Sequence, residues 1–178
     1  MGTIRISKAG GCNNRGFTLI ELAMVLLVIG IMGAVAVPRV AGVLERQQMR
    51  QTINVVRGIV RYLQARAALT KRVYRLTFDL DKQVLSVCYV TADVCQREPT
   101  RELRDYALPA AVRIFDVVSP QGEKIREGMA ITHFYPTGLA EPSIIHLAGD
   151  NKQWATVTIE PLAGGVRVID GYVEPETG

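Results

Sequence analysis

The hydropathy pattern changes period twice along the chain. From Phe17 to Pro38 the sequence FTLIELAMVLLVIGIMGAVAVP holds 17 Ala, Val, Ile, Leu, Met or Phe residues among 22, and Glu21 is its one charge. A helix that is apolar all round belongs in an apolar medium. From Phe17 to Val37 it would rise about 31 Å, enough to cross a hydrocarbon core of about 30 Å. Residues 39–70 keep the helical period but become amphipathic, with Ile53, Val56, Val60, Leu63 and Ala67 at spacings of 3, 4, 3 and 4. That face is expected to lie against a sheet. From Val73 the period falls to two, the mark of strands with one buried face.

Seven strands are predicted: Val73–Phe78, Val84–Tyr89, Val112–Val118, Ala130–Tyr135, Ser143–Leu147, Ala155–Ile159 and Val166–Ile169. The first two form a hairpin around Asp79-Leu80-Asp81-Lys82, and Gly- and Pro-containing breaks separate the rest. Residues 91–110 carry no readable period and are expected to form an irregular excursion. The expected fold is therefore α+β: a long N-terminal α-helix, transmembrane in one half and amphipathic in the other, packed on an antiparallel β-sheet head. A length of 178 residues supports one ordinary domain with an appendage. The expected divisions are 1–16, 17–38, 39–70 and 71–178.

Charge sharpens that division. Residues 1–16 hold Arg5, Lys8 and Arg15 with no acid, and residues 39–75 hold nine basic side chains against Glu45 alone. Residues 76–178 hold nine basic and fifteen acidic ones. The net +4 thus describes a basic stem with an acidic head, which argues against nucleic acid as the main partner. At about 100° per residue, Arg39, Arg46, Arg50, Arg57 and Arg61 form a stripe roughly a right angle from the apolar face. It is either a solvated face or a contact surface for acidic neighbouring heads or anionic lipid.

The basic residues before the apolar block hold that end in the cytoplasm and send the rest outward. Three readings of the block compete on the residues alone. One is a secretory signal cut after Ala34-Val35-Ala36, one a plain membrane anchor, and one a leader removed ahead of the apolar run. Gly30, Gly33 and Pro38 punctuate the helix and are either points where it kinks or melts, or small surfaces for close helix packing.

Arg15-Gly16-Phe17-Thr18-Leu19-Ile20-Glu21-Leu22 resembles the processing signature of type IV prepilins and of the pseudopilins of type II secretion. The resemblance favours the third reading. It implies cleavage between Gly16 and Phe17 by a prepilin peptidase, loss of residues 1–16, and N-methylation of Phe17. It also implies a role for Glu21 in filament assembly, where the carboxylate is neutralised by the terminal amine of a neighbouring subunit. The late block His133-Phe134-Tyr135-Pro136-Thr137-Gly138 ahead of the last strands is similar to the H-type minor pseudopilins, which share a family with the FimT/FimU type of minor pilin. This implies a pilin-like structural subunit of a periplasmic pseudopilus that helps export folded proteins. Its partners would be other pseudopilins or pilins in a helical filament, the peptidase and methyltransferase, and an inner-membrane assembly platform. A minor type IV pilin acting in pilus assembly or DNA uptake is the alternative. Both place the chain in the bacterial inner membrane with a periplasmic head.

Cys12 falls in the expected leader, which leaves Cys88 and Cys95 as a pair in an oxidising compartment, either bridged or as two buried thiols. Catalytic or cofactor signatures are missing: no HExxH, CxxC or GxSxG string and no phosphate-binding loop occurs. The two histidines, His133 and His146, are expected in core or surface roles rather than on a metal. No enzyme activity and no cofactor is expected.

Overall fold

The structure, a computed structural model, describes residues 17–92, 94–97, 105–150, 152–162 and 165–174; within the helix, the side chains of 34–43 and 45 lie outside the described ones. Among the described residues one helix, α1 (Leu19–Thr70), precedes ten strands. The chain divides into two compact units, Met1–Val40 and Ala41–Gly178.

In the second unit the strands form two five-stranded antiparallel sheets. The first sheet contains β1 (Val73–Asp79), β2 (Val84–Thr91), β3 (Val94–Gln96), β4 (Tyr106–Ala107) and β7 (Met129–Phe134). Its order is β3-β2-β1-β7, with β4 also on β2. The second sheet contains β5 (Val112–Val118), β6 (Lys124–Ile125), β8 (Ser143–Gly149), β9 (Trp154–Ile159) and β10 (Val166–Asp170). It runs β10-β9-β8-β5-β6. All seven expected strands are present, some extended by one or two residues. The expected single sheet is instead two, which meet where Thr132 Oγ1 and Ser143 Oγ hydrogen-bond at 2.7 Å inside the protein. The excursion at 91–110 contains two short strands, β3 and β4, and pairs both with β2.

The amphipathic face of α1 supplies the third layer. Ile53, Val56, Val60, Leu63 and Ala67 are all buried, and Met49 extends the face by one turn. Against them pack Tyr74, Leu76, Phe78, Leu85 and Phe134 of the first sheet and Ile114, Ile145, Leu147, Val157 and Ile159 of the second. One helix therefore serves two sheets, and its spacing of 3 and 4 aims one residue per turn into the shared core.

Turn chemistry holds the corners. At the β1–β2 turn the Lys82 N–H donates to Asp79 Oδ1 at 2.8 Å, and Lys82 Nζ reaches Oδ2 at 3.1 Å. The backbone bond from Lys82 leads the causes that hold the Asp79 carboxyl below its ordinary range. In the Phe134–Gly138 turn, the Gly138 N–H donates to the Tyr135 carbonyl at 2.9 Å, and Gly138 takes a φ of 83°, as expected for a glycine placed there.

Candidate assembly site

The N-terminal unit is built around the start of α1. Thr18 is its N-cap: the Glu21 N–H donates to Thr18 Oγ1 at 3.3 Å and the Leu22 N–H to the Thr18 carbonyl at 3.1 Å. The string Thr-x-x-Glu is a capping-box sequence, and a first-turn carboxylate also complements the positive end of the helix dipole. Glu21 thus has a local reason to exist in addition to any intermolecular one. The large apolar side chains from Leu19 to Met32 are between 45% and 87% exposed. Nothing lies within 4 Å of a Cβ built at Gly30 or Gly33. Among the described residues, no close contact requires either glycine.

The helix continues unbroken through Gly30, Gly33 and Pro38. Among the described residues, no helix is long and apolar enough to cross a membrane. The expected span 17–38 runs into 34–38, whose side chains lie outside the described residues, as does the whole of 1–16 with Cys12 and Gly16.

In the second unit Arg46, Arg50 and Arg61 are exposed and Arg57 is half-buried, while the Arg39 side chain lies outside the described residues. Cys88 and Cys95 form a disulfide with a Cα–Cα distance of 5.6 Å. It ties β2 to β3, where Val90 faces Cys95 across the ladder.

Two polar clusters were invisible in the sequence. The first lies on the outer face of the second sheet. A register shift between Ile114 and Asp116 turns Asp116 toward His146, and both side chains are fully buried. His146 Nδ1 hydrogen-bonds Asp116 Oδ1, and its Nε2 donates to the Val173 carbonyl at 2.9 Å. Tyr172 stacks on the imidazole at 4.0 Å between ring centroids and donates its hydroxyl to Asp116 Oδ2 at 3.0 Å. Lys124 Nζ reaches Tyr172 Oη at 2.9 Å and Glu174 at 2.6 Å. The Glu174 bond leads the causes that raise the Lys124 ammonium above its ordinary value, and the same bond lowers the Glu174 carboxyl. Residues 171–174 are thereby strapped over the sheet, with Thr156 Oγ1 donating to the Gly171 carbonyl and accepting from the Val173 N–H.

The second cluster braces the turn after β7. Glu141 Oε2 accepts from the His133 N–H at 3.0 Å and lies 2.9 Å from His133 Nδ1. Tyr135 Oη donates to Glu141 Oε1 at 2.6 Å, and Arg75 Nε donates to His133 Nε2 at 3.2 Å. Burial pushes the Glu141 carboxyl upward, but the bonds from Tyr135 and His133 outweigh it and hold the group below its ordinary range. The Glu141 bond raises the Tyr135 phenol in turn. Among the described residues, no group of three or more His, Cys, Asp or Glu stands where it could hold a metal ion.

Residues 11–37 match the prokaryotic N-terminal methylation motif. Over 44 residues the chain is 43% identical to the fimbrial protein EcpC of Eikenella corrodens, a stretch of 25% of this chain and 29% of that protein's length. The fold is similar to two structures of the minor pseudopilin EpsH from the type II secretion system of Vibrio cholerae. One matches with a TM-score of 0.53 over 68% of this chain and 95% of that one, the other with 0.56 over 72% and 98%, both at 15% identity. The chain thus carries a methylation motif at the head of an apolar helix, followed by a two-sheet unit whose fold is similar to that of EpsH.

Proposed function

We propose that this protein is a minor pseudopilin of a type II secretion system, a structural subunit of a periplasmic filament that helps drive folded proteins across the outer membrane. The observation that carries the reading is Glu21, the one charge of the apolar stretch Phe17–Pro38, in a part of the helix whose large apolar side chains are exposed from Leu19 to Met32. Such a helix needs other apolar surface around it, first lipid and then the helices of like subunits. An ionised carboxylate in that setting costs several kcal/mol unless it is paired. Cleavage after Gly16 would create an amine at Phe17, one helical turn from Glu21, and methylation keeps it basic. In a filament the amine of one subunit neutralises Glu21 of another, so two unpaired charges vanish together and the axial register is set. Gly30, Gly33 and Pro38 are where the helix would yield during packing. The stripe Arg39, Arg46, Arg50, Arg57 and Arg61 would face acidic heads of neighbours or anionic lipid. The peptidase and an inner-membrane assembly platform are the partners this cycle requires. The non-closing, head-to-tail contacts of such a filament extend it as a helix.

A minor pilin of a type IV pilus is the second reading, favoured by the likeness of the N-terminal stretch to a fimbrial protein. Deleting the gene in its native host separates the two. The pseudopilin reading expects exoproteins to accumulate in the periplasm while pili persist. Loss of pili or of DNA uptake with secretion intact would replace it by the pilin reading.

A further inference from the structure

The edge strand β10 ends the second sheet and pairs with β9 alone among the described residues. Hydrogen bonds at its two ends fix its orientation. The Glu160 N–H donates to the Gly165 carbonyl and the Gly171 N–H to the Trp154 carbonyl, each at 2.8 Å. Odd-numbered residues of β10 therefore bond to β9, and the N–H and C=O groups of Val166, Val168 and Asp170 point away from it. The strand carries no proline and no shift in its register, two common devices that blunt an edge. It is a ready template for an added strand.

A cationic wall stands at the Asp170 end of that strand. An open depression of about 370 Å³ is bounded by Arg46, Met49 and Arg50 of α1 and by Trp154 and Asp170 at the ends of β9 and β10. Both arginines are exposed, and neither has an ion-pair partner among the described residues. Arg50 also borders a neighbouring depression with Gln47, Gln51 and Asn54, so the polar flank of the helix continues past the groove.

We propose that the β10 edge and the Arg46–Arg50 wall together form a docking site for an extended acidic segment of a partner protein, added to the second sheet as a further strand. The outward groups of Val166, Val168 and Asp170 supply main-chain hydrogen bonds, which give affinity without sequence preference. Specificity comes from alternation: every second side chain of the added strand faces the helix, where Arg46 and Arg50 favour Asp or Glu. A polyanion without peptide groups satisfies the arginines but leaves the strand edge unused. The site belongs wholly to the second unit, so it does not depend on how the N-terminal helix is processed or assembled.

The test is fluorescence anisotropy of a labelled short peptide alternating glutamate and valine, titrated with the full chain in neutral detergent. A lysine–valine peptide of equal length and a duplex DNA serve as competing ligands. The glutamate peptide should bind and the lysine peptide should not, and Arg50→Glu should weaken binding about tenfold or more. Val168→Pro removes an outward N–H that β9 does not use, and with an unchanged circular dichroism spectrum it should weaken binding by a similar factor. Amide exchange across 166–170 should slow when the peptide is added, a readout that holds even where the proline variant folds poorly. Absence of glutamate-peptide binding, undiminished binding by folded Val168→Pro, unchanged exchange across 166–170, or preference for DNA over the acidic peptide would each overturn the proposal.

Discussion

Residues 19–33 and 49–67 belong to one helix and are both rich in apolar side chains, yet they do opposite things with them. In the first stretch every large apolar residue is left exposed; in the second, Met49, Ile53, Val56, Val60, Leu63 and Ala67 are buried. The difference lies in periodicity, not in helix propensity. Spacing of 3 and 4 makes one stripe that a two-sheet head can cover. Apolar side chains all round leave no single face to bury. The second stretch is held by the chain's own fold, whereas the first depends on what surrounds the protein. Glu21 lies in the exposed stretch, and the buried hydrogen-bonded pair Asp116–His146 lies in the head.

If that division is right, substitutions on the two sides separate cleanly into assembly effects and stability effects. The largest expected effect is at Glu21. Glu21→Ala should cut the fraction of subunit recovered in cross-linked filaments about a hundredfold, equivalent to about 3 kcal/mol. The thermal melt of the head should not move. Normal recovery of the alanine variant would mean that the carboxylate serves only the helix cap.

On the other side, His146→Leu removes a hydrogen-bond donor from the buried Asp116 and frees the Val173 carbonyl. It should cost about 3 kcal/mol of head stability in denaturant unfolding, the usual result of leaving one partner of a buried pair. It should also loosen residues 171–174 in amide exchange. A cost below that of an ordinary surface change would show that the strap does not depend on the pair.

Much of this was legible in the sequence. Alternation from Val73 onward gave seven strands, because each buries one face for several residues. β3, β4 and β6 were missed, since two or three residues cannot display a period. Two sheets instead of one were equally hidden: alternation says that a strand has a buried face, not which neighbours share it. Asp116 and His146 are thirty positions apart and are joined by a register shift, which leaves no mark in residue spacing. Glu21 was legible for the opposite reason. A lone charge in an apolar run can be seen without any fold.

A smaller effect is expected at the disulfide. Replacing both Cys88 and Cys95 by serine should lower stability by about 2–3 kcal/mol, the loop-closure value for so short a ring, and should leave filament recovery largely intact. Loss of recovery with a normal melt would move the β2–β3 hairpin from the stability side to the assembly side.

The smallest effect is a matter of pH. Glu141 is held below its ordinary value in the folded protein, so its contribution is fully present above the unfolded-state value near 4.5 and is lost as pH falls through the lower, folded one. Amide exchange at His133 should accelerate in that acid window while the core around Val60 and Leu63 stays protected. Glu141→Gln should flatten the acid response, and an unchanged profile in that variant would assign it to another carboxyl group.

The account as a whole rests on the N-terminal helix being a processed, methylated assembly element rather than a discarded signal or a plain anchor. Intact mass and N-terminal peptide sequencing of the protein from its native membrane test this most directly. The account predicts a chain that begins at Phe17 and is one methyl group heavier than its sequence. A chain beginning at Val37, or one still beginning at Met1 in cells with an active prepilin peptidase, would contradict it.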